Sequence, residues 1–218
     1  MAAIFDAASS TQGTAVTSLT FSHTVASQSN LCIVIDGHHS DGSPGTTSSM
    51  TYNAVAVTAI NINVTAQTFY HLSTGYLIAP ATGANNVVVN YSINADEACA
   101  GAVSYYDVDQ TTPVGTAANA NGNSTSASVN VTTVSGDTVH ATTYCGQTTL
   151  STTQTQRWEQ ENISAQTSGN GIEATASGTS TTMTTALPAT DSWIIGGFAL
   201  KGVVAGLFPP FRNRILRI

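Results

Sequence analysis

Basic side chains are nearly missing from most of this sequence, which has no lysine or arginine before residue 157. Its 218 residues include twelve acidic and five basic ones, and only 8% are charged, about a third of the usual share. Residues 1–211 contain all the acidic residues but only Arg157 and Lys201 as bases, a formal charge of 2 − 12 = −10. A body this acidic repels phosphates, so we expect no nucleic-acid partner.

Good helix formers such as leucine, glutamate, lysine and arginine are also scarce. Threonine and serine are abundant instead, with 35 and 23 residues. Threonine and valine favour pleated, half-buried strands. The hydrophobic content of 41% is too high for a disordered Ser/Thr-rich tract. The composition therefore predicts an all-β protein with a surface solvated by hydroxyl groups.

Membrane and export signals are missing too. No stretch approaches the roughly 18–20 apolar residues that span a bilayer, so we expect no membrane association. The first ten residues lack the basic region and apolar run of a signal peptide. Low charge and abundant threonine are nevertheless typical of extracellular proteins. Release by lysis, as for virion proteins, or a signal-free export route reconciles these features, and we expect the protein on a virion surface or outside the cell.

Common catalytic motifs do not occur. The sequence has no Gly-x-Ser-x-Gly, His-Glu-x-x-His or Gly-x-x-x-x-Gly-Lys pattern. Serine and threonine nucleophiles are abundant, but a catalytic triad is recognised by its geometry and not by abundance. We therefore expect a protein that is not an enzyme and that uses no cofactor.

The cysteine count is odd: Cys32, Cys99 and Cys145 occur without Cys-x-x-Cys spacing. Each lies in a strand-like run, which favours buried free thiols that pack as small hydrophobes. One disulfide with a spare thiol, or a bridge between subunits, are the alternatives.

Strand-like segments alternate with turn signals along residues 1–201. Asn53-Ala54 between two short apolar runs predicts a tight hairpin, and Pro80 is expected to end a long strand. The Asn-Gly-Asn sequence at residues 121–123 predicts a loop. Ten to twelve such strands predict one domain over residues 1–201, an antiparallel, jelly-roll-like β-sandwich.

Residues 202–218 differ in amino-acid composition from the rest of the sequence. Serine and threonine disappear, two prolines at 209–210 stop any strand, and three arginines follow. We predict an extended C-terminal arm that becomes ordered only against a protein partner. The residues predicted to make that contact are Phe208, Phe211, Arg212, Arg214, Ile215, Leu216, Arg217 and Ile218.

One short segment concentrates metal-ligand side chains: Asp36, His38, His39 and Asp41. Imidazole and carboxylate groups are competent ligands for Zn²⁺, Ni²⁺ or Cu²⁺. The sequence predicts a loop here, and adjacent histidines on an extended chain point to opposite faces. All four residues can therefore share one ion only if the loop kinks, and a solvated turn is the alternative interpretation.

Three further residues are candidates for ligand binding. Asp107 and Asp109 could contribute to a Ca²⁺ site, although solvation and turn capping explain them better. Trp158, between two charged residues, is predicted to be exposed and able to stack on a ligand such as a sugar. Trp193 lies in an apolar run and is predicted to belong to the core.

Several segments together resemble Ser/Thr-rich, jelly-roll-like β-sandwich modules of bacteriophage structural proteins and bacterial surface proteins. The resemblance covers about residues 10–201 and implies a non-enzymatic sandwich displayed on the exterior of a particle or cell. It rests on residues 19–24, 51–58, 76–83, 101–105, 109–113 and 193–201.

These features favour a virion structural protein: a capsid decoration (cement) or fibre-like subunit that docks through its arm. The expected partner is a major capsid protein or a neighbouring copy in a homo-oligomer. A glycan- or receptor-binding adhesin module is one alternative. A subunit of a self-assembling extracellular filament, whose arm completes a neighbour's sheet, is another.

Overall fold

A computed structural model of the protein describes residues 1–41, 45–66 and 69–203. The described residues form twelve strands and no helix, and so contain no helix able to cross a membrane. The strands are β1 (Ile4–Val25), β2 (Cys32–Ser40), β3 (Thr47–Tyr52), β4 (Val55–Ala56), β5 (Thr58–Ala66), β6 (Tyr70–Ile78), β7 (Gly83–Tyr106), β8 (Ala118–Thr132), β9 (Thr138–Cys145), β10 (Thr155–Ile163), β11 (Thr167–Thr175) and β12 (Ser180–Leu200).

The strands form two sheets, one of seven strands (β1 to β7) and one of five (β8 to β12). Within each sheet, all the strand pairings are antiparallel. The chain passes from the first sheet to the second once, between β7 and β8. The predicted antiparallel β-sandwich of ten to twelve strands is thus confirmed.

The two sheets repeat one strand order. It is β1-β7-β2-β6-β5 in the first sheet and β8-β12-β9-β11-β10 in the second, with β3 and β4 added to the first. In each sheet the first strand pairs with the last, and the last pairs with the second. This internal duplication places β2 and β9 at equivalent central positions, where they contact each other across the sandwich.

Each sheet also covers part of its own outer face. The longest strands shift register partway along, between Val16 and Ser18 in β1 and between Ala186 and Asp191 in β12. Beside the core between the sheets, a second core contains only residues of the first sheet and the segments that join its strands, and a third only residues of the second sheet and its joining segments. Both faces of β2 and β9 are therefore buried along their whole length.

Two predicted boundaries agree with the structure. Asn53 and Ala54 join β3 to β4 with φ angles of 48° and 61°, the left-handed pair that a two-residue hairpin requires. Strand β6 ends two residues before Pro80. The predicted loop at residues 121–123 is wrong, because these residues belong to β8. A side chain at Gly122 would lie 2.7 Å from Trp193, so the glycine makes room for the tryptophan within a strand.

The cysteine and Trp193 predictions are confirmed. Cys32, Cys99 and Cys145 are free and buried, and Trp193 is 8% exposed. Burial raises the pKa of the Cys32 and Cys145 thiols to about 12. The thiols therefore remain protonated at neutral pH and pack as hydrophobic groups.

We expect native protein to resist trypsin at Arg157, the first possible cleavage site in the chain. Arg157 lies in β10, donates to both carboxylate oxygens of Glu173 at 2.9 and 2.7 Å, and covers the ring of Phe5 at 3.8 Å. Cleavage there requires β10 to leave the sheet, so it follows subglobal unfolding. Mass spectrometry of a limited digest checks this. A fragment that begins at Trp158 and forms as fast as from heat-denatured chain would contradict it.

Candidate functional site

The segment with the four predicted metal ligands is a strand and not a loop. Strand β2 runs through Ser40, and Asp36, His38 and His39 are 0% exposed. Strand alternation sends Asp36 and His38 into the space between the sheets, whereas His39 lies on the opposite face against His71. The predicted solvated turn is therefore wrong. The structure does not bring the four predicted ligands together as one site.

Asp36 is the centre of a buried polar network between the sheets. Its Oδ1 accepts a hydrogen bond from Thr74 Oγ1 at 3.1 Å, and its Oδ2 accepts from His140 Nε2 and Trp158 Nε1, both at 3.0 Å. Burial raises the pKa of Asp36, but attraction to His140 and His38 and the hydrogen bonds from His140 and Trp158 outweigh it, so the pKa is lowered. The carboxylate stays ionised.

His38 extends the network on the same face of β2. Thr142 donates its hydroxyl proton to the carbonyl of Asn170 at 2.8 Å, so it must accept from His38 Nε2 at 2.9 Å. The thiol of Cys99 lies 3.6 Å from His38 Nδ1, the remaining acceptor. Burial lowers the pKa of His38 to about 4. The network thus combines an ionised carboxylate with a neutral imidazole and holds β2 against β9.

Trp158 belongs to this network, and the prediction of an exposed, ligand-binding aromatic is wrong. Only 4% of Trp158 is exposed. Its indole lies between Gly101 on β7 and Gly171 on β11, where an added Cβ would come within 2.1 Å of the ring. Glycine within a strand often marks a place where another group approaches the backbone closely, so these two glycines were the sequence feature that could have indicated a buried indole here.

On the other face of β2, His39, Asp41 and His71 gather ligand-type atoms that all lie within 4.8 Å of one another. His39 pairs directly with His71 across β2 and β6, and their rings stack at 4.6 Å with an angle of 10° between planes. Asp41 Oδ2 lies 3.5 Å from His39 Nε2. The three residues are 0%, 5% and 3% exposed, respectively. His71 was missed from the sequence because strand register, not spacing along the chain, brings it here.

Both imidazoles in this cluster are neutral at pH 7. Burial lowers the pKa of His39 to about 3, helped by the nearby His71 and His38 and opposed by the backbone at Gly45. Burial also lowers the pKa of His71, which Asp41 opposes. Apart from this interaction with the backbone at Gly45, the ring nitrogens of His39 have no hydrogen-bond partner. Neutral imidazole is the form that ligates metals.

An acidic pocket of about 540 Å³ opens beside this cluster, where β2 ends. Asp41, Asp96 and Glu97 contribute carboxylates, and Phe69 and Tyr70 contribute aromatic rings. Phe69 is 50% exposed, and Asp96 is exposed. The pocket therefore offers negative charge next to an exposed apolar ring.

The remaining predicted sites are resolved differently. Asp109 Oδ1 accepts from the backbone N–H groups of Thr111 and Thr112 at 2.8 and 3.0 Å, so turn capping accounts for it. The predicted docking residues, 208 to 218, lie outside the described residues.

Comparisons with models of protein families, with curated proteins and with solved structures find no match to this chain.

Proposed function

We propose that the protein is a structural subunit of an assembled particle, a virion decoration or fibre-like protein, whose copies join through residues 202–218. The observation that carries this proposal is the segregation of charge. The only basic side chains in the described residues, Arg157 and Lys201, pair with Glu173 and Asp137. The surface that remains is acidic, and the arginines available to complement it are those of the arm.

The described start of the arm, residues 202–203, and the acidic pocket lie at opposite ends of the sandwich. The arm leaves beside the start of β2, because Val203 N–H donates to the carbonyl of Asp107, and Asp107 N–H in turn donates to that of Ser29. The pocket lies at Ser40, the last residue of β2. Nine strand residues separate the two, roughly 26 Å at 3.3 Å per step. This arrangement suits contacts between the arm of one subunit and the acidic pocket of the next.

The pocket's chemistry matches the arm's composition. Arginine forms charge-assisted, often bidentate hydrogen bonds with carboxylates such as Asp96, and its guanidinium stacks on aromatic rings such as Phe69. The arm's apolar side chains add anchors that can bury against the same ring. We infer that the arm of one copy binds the acidic pocket of the next.

Head-to-tail contacts of this kind are heterologous, so repetition builds either a closed ring or an open filament. The polar network around Asp36 is fully buried and spans both sheets, which supports a rigid structural role over catalysis. No specific observation favours the adhesin alternative, since the tryptophan expected to bind ligands is in the core. A separate shell protein as acceptor is the competing outcome of the test.

The test is the solution mass of the protein at low and high salt. An arm variant, Arg212→Glu/Arg214→Glu/Arg217→Glu, reverses the charge of the arm, and a matched Arg→Lys variant at these positions keeps it. In light scattering we expect the native chain to form oligomers that dissociate as salt approaches 1 M, where the screening length falls to about 3 Å. The arm variant should be monomeric and the lysine variant oligomeric. A monomeric native chain, or oligomers unaffected by charge reversal, would contradict self-assembly through the arm.

A further inference from the structure

We propose that His39, Asp41 and His71 form a binding site for one divalent transition-metal ion, with Zn²⁺ as the best fit. This inference is argued separately from the proposed assembly, because His39 and His71 lie on the face of β2 and β6 that points away from the second sheet, and of the three residues only Asp41 also lines the acidic pocket. It differs from the set predicted from sequence, since Asp36 and His38 lie on the other face and His71 comes from a different strand.

The first argument is geometric. Two nitrogens on a tetrahedral Zn²⁺ lie about 3.4 Å apart, given Zn–N distances of about 2.05 Å. The ligand atoms here are within 4.8 Å of one another, and because the two rings are stacked, binding requires one ring to rotate about χ2 so that its nitrogen points toward the other. The ligands lie on adjacent strands and at the end of one of them, so the sheet fixes their spacing.

The second argument concerns His39 itself. Among the histidines in the described ranges, His38 and His140 have a partner for each ring nitrogen, and His23 has one for Nδ1. His39 is fully buried, and beyond the backbone at Gly45 and Asp41 Oδ2 at 3.5 Å its ring nitrogens have no hydrogen-bond partner, which leaves a lone pair within the cluster. Coordination of a cation uses such a lone pair, and a hydrogen bond from the other ring nitrogen then orients the ring.

The chemistry of the ligands selects the class of ion. Two imidazoles and one carboxylate suit Zn²⁺, Cu²⁺ or Ni²⁺, whereas Ca²⁺ and Mg²⁺ prefer six or more oxygens. Asp41 also lines the acidic pocket, through which an ion can enter and from which a further ligand can bind. Gly45 packs closely against this carboxylate, because a Cβ there would lie 2.7 Å from Asp41 Oδ2 and 2.5 Å from Ile93.

Calorimetric titration of ZnCl₂ into untagged, chelator-treated protein tests the site. We expect saturable binding of one ion per chain and a higher melting temperature with Zn²⁺. Asp41→Asn, which is nearly isosteric, and His71→Ala should each weaken affinity at least tenfold. His23→Gln removes a buried histidine elsewhere and should bind as the native chain does. Anomalous diffraction at the zinc edge should place the ion between His39 and His71.

The titration is also made on the arm variant, so that failure of assembly and failure of metal binding are distinguished. Should His71→Ala not fold, as judged by circular dichroism, Asp41→Asn alone decides. No saturable binding to the native chain would overturn the proposal. Equal affinity of native protein and Asp41→Asn would also overturn it, as would an anomalous peak away from His39.

Discussion

Replacing Asp36 with alanine is expected to lower the free energy of unfolding by about 3–5 kcal/mol, because each buried donor that is left without its acceptor costs about 1–3 kcal/mol. Three donors, from Thr74, His140 and Trp158, would lose their acceptor inside the core. The free energy of unfolding of a single domain is about 5–15 kcal/mol, so this one substitution removes a large fraction of the total stability. Urea unfolding, followed by circular dichroism, measures it.

The matched control for this experiment is Asp96→Asn, which alters an exposed aspartate of the same sheet and should leave the midpoint nearly unchanged. The urea midpoint of Asp36→Asn should lie between those of Asp36→Ala and Asp96→Asn. The amide oxygen of the asparagine still accepts a hydrogen bond, whereas its amide nitrogen finds no partner among the donors. A loss below about 1 kcal/mol for Asp36→Ala would show that the network does not hold the sheets together.

Steep loss of stability between pH 6.5 and pH 4 is the second large effect we expect. Burial lowers the pKa of His23 and His38 to about 4 and that of His39 to about 3, whereas each has an ordinary pKa near 6.5 when unfolded. Between these values the unfolded chain binds more protons than the folded chain. The stabilisation is therefore complete above pH 6.5 and decreases as pH falls toward the folded-state pKa values.

The expected slope is up to about 1.4 kcal/mol per pH unit for each histidine, so about 4 kcal/mol per unit for these three, and His71, whose pKa burial also lowers, adds to it. Asp36 adds a further loss at lower pH, because its pKa is also lowered and its contribution disappears as it protonates. Melting temperatures measured from pH 8 to pH 4 check this. His23→Gln should remove up to about 1.4 kcal/mol per pH unit from the slope, and a constant melting temperature down to pH 4.5 would rule the mechanism out.

Local chemistry explains which parts of the fold were predictable from sequence. The hairpin at Asn53 and the strand end before Pro80 depend on backbone preferences of a few residues, which any sequence window contains. The burial of Trp193 follows from its apolar neighbours. Composition was sufficient for the all-β class, since threonine and valine replace helix formers throughout.

The site was less predictable, because its contacts join distant parts of the chain. Asp36 and His38 look like loop residues until their partners on β9, each 104 residues later, are known. His71 reaches His39 only through strand register, and Trp158 is buried only because Gly101 and Gly171 face each other across the core. Periodicity along a sequence contains none of these relationships.

The pocket assigned to the arm can be altered without disturbing the core. A pocket variant, Asp96→Lys/Gln166→Lys, changes two exposed residues at its rim and reverses the local charge. The control, Asn121→Lys/Thr125→Lys, adds positive charge at two exposed positions of β8 that do not line the pocket. We expect the pocket variant to be monomeric and the control to assemble like the native chain.

Mixing the pocket variant with the arm variant tests the central claim most directly. Each is expected to be monomeric alone, because one lacks an acceptor and the other lacks a functional arm. In the mixture, the intact arm of the first can bind the intact pocket of the second, and no further subunit can add. Light scattering should therefore detect a one-to-one dimer that dissociates at high salt. A mixture that stays monomeric would contradict assembly of the arm into the acidic pocket.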